Sequence, residues 1–139
     1  MAAADEKLTL TVVTPERAVL EGVACDAIGL PGETGELGIL PGHAPLVALL
    51  GVGRVSYRDG NRTAAIAVRG GFAEVAANQV RVLADLALEK DAVDLATARR
   101  LKQEAEGKRL TVAGEAELDL VNADASFAEA QLEVAGSRP

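Results

Sequence analysis

The chain has 139 residues, enough for one compact domain and a small appendage, with 14 basic and 21 acidic side chains giving a net charge of −7. That balance excludes nucleic acid or anionic lipid as the main partner, because phosphate binding relies on clustered Lys and Arg. Half of the residues are apolar but only 2 % are aromatic, so the core is built from Val, Leu, Ile and Ala, which suit strands better than a large ligand pocket.

Residues Met1 to Lys7 carry no apolar stretch of the signal-peptide kind, and their acids disfavour a transit peptide. No apolar run reaches the roughly 18 to 20 residues of a membrane span, so direct membrane insertion is not expected. From Leu8 to Leu88 short runs are broken by Gly, Pro and Asn. Leu8, Leu10 and Val12 alternate with Thr9 and Thr11, the two-residue period of a half-buried strand. Cys25 reads as a small buried apolar side chain, since nothing local would lower its pKa. Gly29, Gly32, Gly35 and Gly38 read as turn makers: Gly38 leads into Ile-Leu-Pro-Gly, which cannot open the helix that a phosphate loop needs. Glu33 and Glu36 flank Gly35 as solvated acids.

His43, the single histidine, lies in Leu40-Pro-Gly-His-Ala-Pro45. With no nucleophile beside it, a structural or surface role is expected rather than general-base work. One Cys and one His cannot make a zinc site, so neither a metal nor a catalytic residue is expected. Asp59-Gly60 and Ala77-Asn78 each separate two strand-like runs as hairpin turns. In the run that follows the first turn, Ala64, Ile66 and Val68 line one face. Gly70-Gly71 implies a bulge or close backbone approach. Short strands at this spacing predict an antiparallel sandwich.

Near residue 90 the period changes, dividing the chain into 1–88 and 89–139. Asp91 is the expected N-cap of a helix whose stripe is Leu95, Ala98, Leu101 and Ala105, stopping at Gly107. A second helix is expected after Gly114, with Leu118, Val121, Ala125, Ala128, Leu132 and Ala135 as its seam and a stop in Gly136-Ser-Arg-Pro139. Together they make an antiparallel helical hairpin. Its first helix and loop are basic (Arg99, Arg100, Lys102, Lys108, Arg109). From Leu110 to Ser137 there are six acids and no Lys or Arg. These charges are expected to be solvated and to pair weakly across the hairpin, which should dock loosely on the sandwich.

The run Gly35-Glu-Leu-Gly-Ile-Leu-Pro-Gly-His-Ala-Pro-Leu46 resembles the epsilon subunit of F-type ATP synthases, and three further segments agree in order and spacing: Leu10 to Glu16, Val68 to Val75 and Asn78 to Asp85. The resemblance implies a ten-stranded β-sandwich on the gamma subunit of the central stalk and on the polar loops of the c-ring, coupling proton flow to ATP synthesis made elsewhere. Glu36 matches the family acid facing the c-ring, and His43, with Pro41 and Gly42 before it, a position near the gamma and ring contacts. The implied location is peripheral, on the cytoplasmic face of a bacterial membrane.

The family's hairpin can restrain ATP hydrolysis by meeting an acidic segment of the beta subunit, and in some relatives it binds ATP through Ile/Leu-Asp-x-x-Arg-Ala. Here Val93-Asp94-Leu95-Ala96-Thr97-Ala98 keeps Asp94 and Ala98 but has Thr97 in place of Arg, so no nucleotide cofactor is expected. The acidic second helix should be repelled by an acidic partner surface. An ATP-sensing regulatory module is the alternative, and an unrelated sandwich adaptor a third reading.

Overall fold

The computed structural model describes residues 6–136. The reading of the chain's first five residues and of the tail Ser137 to Pro139 lies outside the described residues. Eight strands run in order: β1 Leu8–Val13, β2 Ala18–Cys25, β3 Ala27–Gly32, β4 Gly35–Ile39, β5 Leu46–Leu49, β6 Val52–Asp59, β7 Arg62–Ala76 and β8 Gln79–Glu89. A single 3-10 turn, Lys90–Ala92, leads to helices α1 Leu95–Arg109 and α2 Glu115–Gly136.

The strands form one sheet, ordered β2-β1-β8-β7-β6-β3-β4 with β5 also on β7, folded over on itself. Among the described strands only the β1–β8 pair is parallel. The fold line crosses β7 at Gly70 and Gly71, whose φ values are +71° and +107°. Before it, Arg62 to Arg69 pair with β6; after it, Phe72 to Val75 pair with β5. A Cβ on Gly71 would sit 2.0 Å from the Leu83 carbonyl oxygen, so the close approach expected there is real and glycine is required. The described residues form eight strands rather than the ten expected. The difference comes from β7 and β8, two long strands that each serve both layers and would otherwise be counted twice.

Leu8, Leu10, Val12, Val80 and Val82 from one layer meet Ile28, Leu30, Ile39, Val55, Ile66 and Val68 from the other. Each such side chain contributes about 1.5 to 3 kcal/mol on burial. Cys25 joins this core, as read from the sequence. The two hairpin turns also match. Gly60 has φ +64° between paired Asp59 and Arg62, and Ala77 and Asn78 both take positive φ between paired Ala76 and Gln79.

The helices differ from expectation in three details. Lys90–Ala92 coil separately, so α1 is capped by Asp94 and not Asp91: the Asp94 carboxylate accepts from the Ala96 and Thr97 amides at 3.0 and 3.3 Å. Gly107 does not stop α1, which runs on to Arg109; the roughly 1 kcal/mol penalty of a helical glycine is outweighed by packing around Ala105. In α2 two stripes are buried instead of one. Val121 and Ala125 face α1 beside Ala105 and Val112. Phe127, Ala130 and Val134 cover Ala65 and Ala67 on the outer face of β7. Ala65 and Ala67 alternate with Ile66 and Val68, so this stretch of β7 is buried on both faces.

Candidate docking surfaces

The segment between β4 and β5 is a tight turn with an internal logic. Pro41 presets the second position, Gly42 takes φ +86° at the third, and the His43 amide donates to the Leu40 carbonyl at 3.1 Å. This is a type II turn with the residues its geometry demands. The turn is pinned from below by Asn78. The Gly42 amide donates to Asn78 Oδ1 at 2.8 Å, while Asn78 Nδ2 donates to Glu6 Oε1 at 2.6 Å. The Asn78 carbonyl in turn accepts from the Thr9 amide at 2.8 Å. One residue thereby ties this loop to the β7–β8 turn and to the start of β1. The His43 ring lies with Nδ1 2.7 Å from the Ala44 carbonyl oxygen. A carbonyl only accepts, so Nδ1 carries the proton and donates.

Glu36 is not part of this cluster. It is the second residue of β4, opposite Pro31, at the other end of that strand from the Pro41 turn. It is exposed and lines a cleft with Arg54 of β6 and with Ser126, Glu129 and Glu133 of α2. Glu36 and Pro41 to His43 therefore offer two separate contact points, one beside the helical hairpin and one beside Asn78.

Asp94, Thr97 and Ala98 are brought together, but as a helix start. Thr97 Oγ1 donates to Asp94 Oδ2 at 3.0 Å, and the hydrogen bonds from Thr97 hold the Asp94 carboxyl below its ordinary pKa. Ala98 is fully buried. Arg100, on the next turn, lies 4.0 Å from Glu104.

A further cleft of about 520 Å³ opens between Val23, Ala24 and Tyr57, with Asp59 and Arg62 at its rim. Asp59 is engaged there by Lys7, whose ammonium bridges Asp26 and Asp59 at 2.5 and 2.8 Å. Asp26 also accepts from the Gly60 amide at 2.6 Å, which locks the β6–β7 turn to the junction of β2 and β3. Those bonds to Asp26 and Asp59 push the Lys7 ammonium up to about 12, and its bond to Asp26, joined by the Gly60 amide, holds that carboxyl low.

One surface was missed in the sequence. On the outer face of the layer that α2 leaves uncovered, the pairing register aligns Leu49 with Phe72, Phe72 with Leu83, and Leu83 with Val13. This makes one apolar row across β5, β7, β8 and β1. The adjacent row reads Val47, Glu74, Arg81 and Thr11. Val47 is 71 % exposed and Leu49 64 % exposed. A contiguous exposed apolar patch of this kind makes the face a candidate docking surface. The signal available was Leu46 to Leu49, four apolar residues without alternation, which leaves an apolar side chain on each face of the strand.

Comparison with known proteins adds a family to this geometry. Residues 7–90 match the family model described as the ATP synthase delta/epsilon chain β-sandwich domain. The ATP synthase epsilon chain of Syntrophobacter fumaroxidans is 37 % identical over 130 residues, covering 94 % of this chain and 96 % of that relative. The ATP synthase epsilon chain of Halalkalibacterium halodurans is 43 % identical over 131 residues, covering 93 % and 97 %. Among solved structures, a chain of the Euglena gracilis mitochondrial ATP synthase superposes with a TM-score of 0.76 over 93 % of this chain and 81 % of that one. At 24 % identity that likeness is one of fold.

Proposed function

This chain belongs to the family of ATP synthase epsilon chains, accessory subunits rather than catalytic ones, and from that premise we propose that it is a rotor subunit of the central stalk of a bacterial F-type enzyme. In this reading the sandwich, residues 1–88, docks on the gamma subunit and on the loops of the c-ring, and so couples proton flow to ATP synthesis. The observation that carries it is the apolar row of Leu49, Phe72, Leu83 and Val13, a sheet face that no described helix covers. Gamma is the partner assigned to that face. Glu36 serves the c-ring, and the rigid Pro41-Gly42-His43 turn a contact near gamma and the ring. A turn whose backbone is held by Asn78 loses little entropy on docking, which favours such a role. No described helix is long and apolar enough to cross a membrane, in keeping with peripheral attachment at the cytoplasmic face.

The hairpin, residues 89–139, is the regulatory part of this proposal, restraining ATP hydrolysis through the beta subunit. The acidic α2 works against an acidic beta segment, so restraint is weaker than a basic helix would give. The alternative, an ATP-sensing module, loses ground because Asp94 is occupied as the cap of α1 and Thr97 stands where a guanidinium would hold phosphate.

The test is to add the full chain to an epsilon-depleted catalytic complex and follow both binding and ATP hydrolysis. Binding with a modest fall in rate is expected. Absence of binding would overturn the rotor assignment. Saturable ATP binding by the free chain would favour the alternative.

A further inference from the structure

On the outer face of β6 and β7, Arg54 and Arg69 each meet an acid of α2. Arg69 Nη1 lies 2.7 Å from Asp124 Oδ1, and its guanidinium carbon is 6.0 Å from the centre of the Phe127 ring. Arg54 Nε lies 3.1 Å from Glu133 Oε2. Asp124 and Glu133 are nine positions apart, so the two pairs grip the helix about 13.5 Å apart. Phe127 and Ala130 between them, and Val134 just beyond, rest on Val52, Ala65, Ala67, Leu88 and Val93. Three of these eight residues are alanines, with little area to bury, and Phe127 is the one aromatic.

The charges on α2 are of one sign: no Lys or Arg occurs from Glu115 to Gly136. Among the described residues, Arg54 is also the one basic residue lining a cleft that holds Glu36, Glu129 and Glu133. Without it, three carboxylates would face one another. The hairpin has its own seam, Ala105, Val121 and Ala125 with Val112, independent of the sandwich. Losing the contacts to β6 and β7 would therefore free the two helices as a unit.

We propose that Arg54 and Arg69 form an electrostatic latch that holds the helical hairpin on the sandwich, so that added salt or loss of either arginine releases the hairpin while the sandwich stays folded. The latch is a property of the fold and stands whether or not the chain works as a rotor subunit. Each pair is partly exposed, so each shifts the docked-to-released ratio by about two- to fivefold. Arg54 lies toward the upper end, because its removal adds repulsion among Glu36, Glu129 and Glu133.

The experiment uses the full chain with spin labels at N61C on the β6–β7 turn and Q103C on α1, both exposed positions, with Cys25 buried and unlabelled. Pulsed dipolar spectroscopy reads the ratio of docked to released hairpin. Raising salt from about 10 mM to about 1 M cuts the screening length from roughly 30 Å to 3 Å, and should raise the released fraction about fivefold or more. Arg69→Gln should raise it about twofold at low salt and weaken the salt dependence. Asp124→Asn, changed from the helix side, carries the same test if Arg69→Gln fails to fold. The swap Arg69→Asp with Asp124→Arg should restore docking. A ratio indifferent to salt, or release by Arg69→Gln that the swap does not rescue, would overturn the proposal.

Discussion

Replacing Gly71 by Ala should be among the most damaging single changes in the molecule, although it adds one methyl group. The added carbon would lie 2.0 Å from the Leu83 carbonyl oxygen, 2.9 Å from the carbonyl carbon and 2.8 Å from the Ala84 Cα. All three are backbone atoms of the neighbouring strand, so no side chain can rotate away. Relief requires β7 and β8 to part at the fold line, where Gly71 pairs with Ala84 and Phe72 with Leu83. The φ of +107° adds about 1 to 3 kcal/mol of strain for any residue with a Cβ. Each ladder hydrogen bond lost costs a further 0.5 to 1.5 kcal/mol or so. Together these come to about 3 to 5 kcal/mol, a large part of the roughly 5 to 15 kcal/mol that holds a domain folded. At about 2 kcal/mol per molar of urea the unfolding midpoint should fall by about 2 M. The same substitution at Gly107, helical and with nothing within 4 Å of a new Cβ, should instead raise stability by up to about 1 kcal/mol. A Gly71→Ala midpoint within about 0.3 M of the parent would refute the bent-strand account.

Lys7 contributes stability that is fully present below its unfolded pKa and lost as pH climbs through the folded value of about 12. Asp26, held low by Lys7 and the Gly60 amide, contributes stability that is lost as pH falls through its folded value. Thermal unfolding of the parent and Lys7→Met across pH should show a constant gap from about pH 5 to 9, narrowing at both extremes; a gap that widens at either end contradicts the assignment. Burial pushes the Cys25 thiol up to about 11, so a thiol reagent at pH 8 should leave the native chain unmodified and label it promptly in urea. Rapid native labelling would place Cys25 outside the core. Ala77 has φ +49°, which costs a non-glycine residue about 1 to 2 kcal/mol, more than the roughly 0.5 to 1 kcal/mol entropic penalty of glycine. Ala77→Gly should therefore raise the urea midpoint, and a lower midpoint would show that the turn is not strained.

The strands and turns were legible because their signals are local. Leu8, Leu10 and Val12 alternate, Asp59-Gly60 and Asn78 suit positive φ, and Gly70-Gly71 marks the fold line. What could not be read depends on long-range packing. The second stripe of α2, Phe127, Ala130 and Val134, exists only because the sheet offers Ala65 and Ala67 to cover. The acids of α2 were expected to pair across the hairpin, yet Asp124 and Glu133 find Arg69 and Arg54 on the sandwich. Within the hairpin, Arg109 instead donates to Asn122 at 2.9 Å. The Pro41-Gly42 turn was recognisable from its residues, but its tether to Asn78, 36 positions away, was not. The apolar row was hidden for the same reason, since Val13, Leu49, Phe72 and Leu83 meet only through strand register.

The measurement that tests the central claim most directly is the affinity of the full chain for its cognate gamma subunit, compared between the parent, Leu49→Asp and Leu110→Asp. Leu49 stands in the apolar row at 64 % exposure, and Leu110 ends the hairpin's first helix at 87 % exposure. Burying a leucine is worth about 1.5 to 3 kcal/mol, so Leu49→Asp should weaken binding by tenfold or more while Leu110→Asp leaves it unchanged. Equal affinity for all three would contradict the assignment of that sheet face to gamma, and no affinity even for the parent would contradict the rotor role itself.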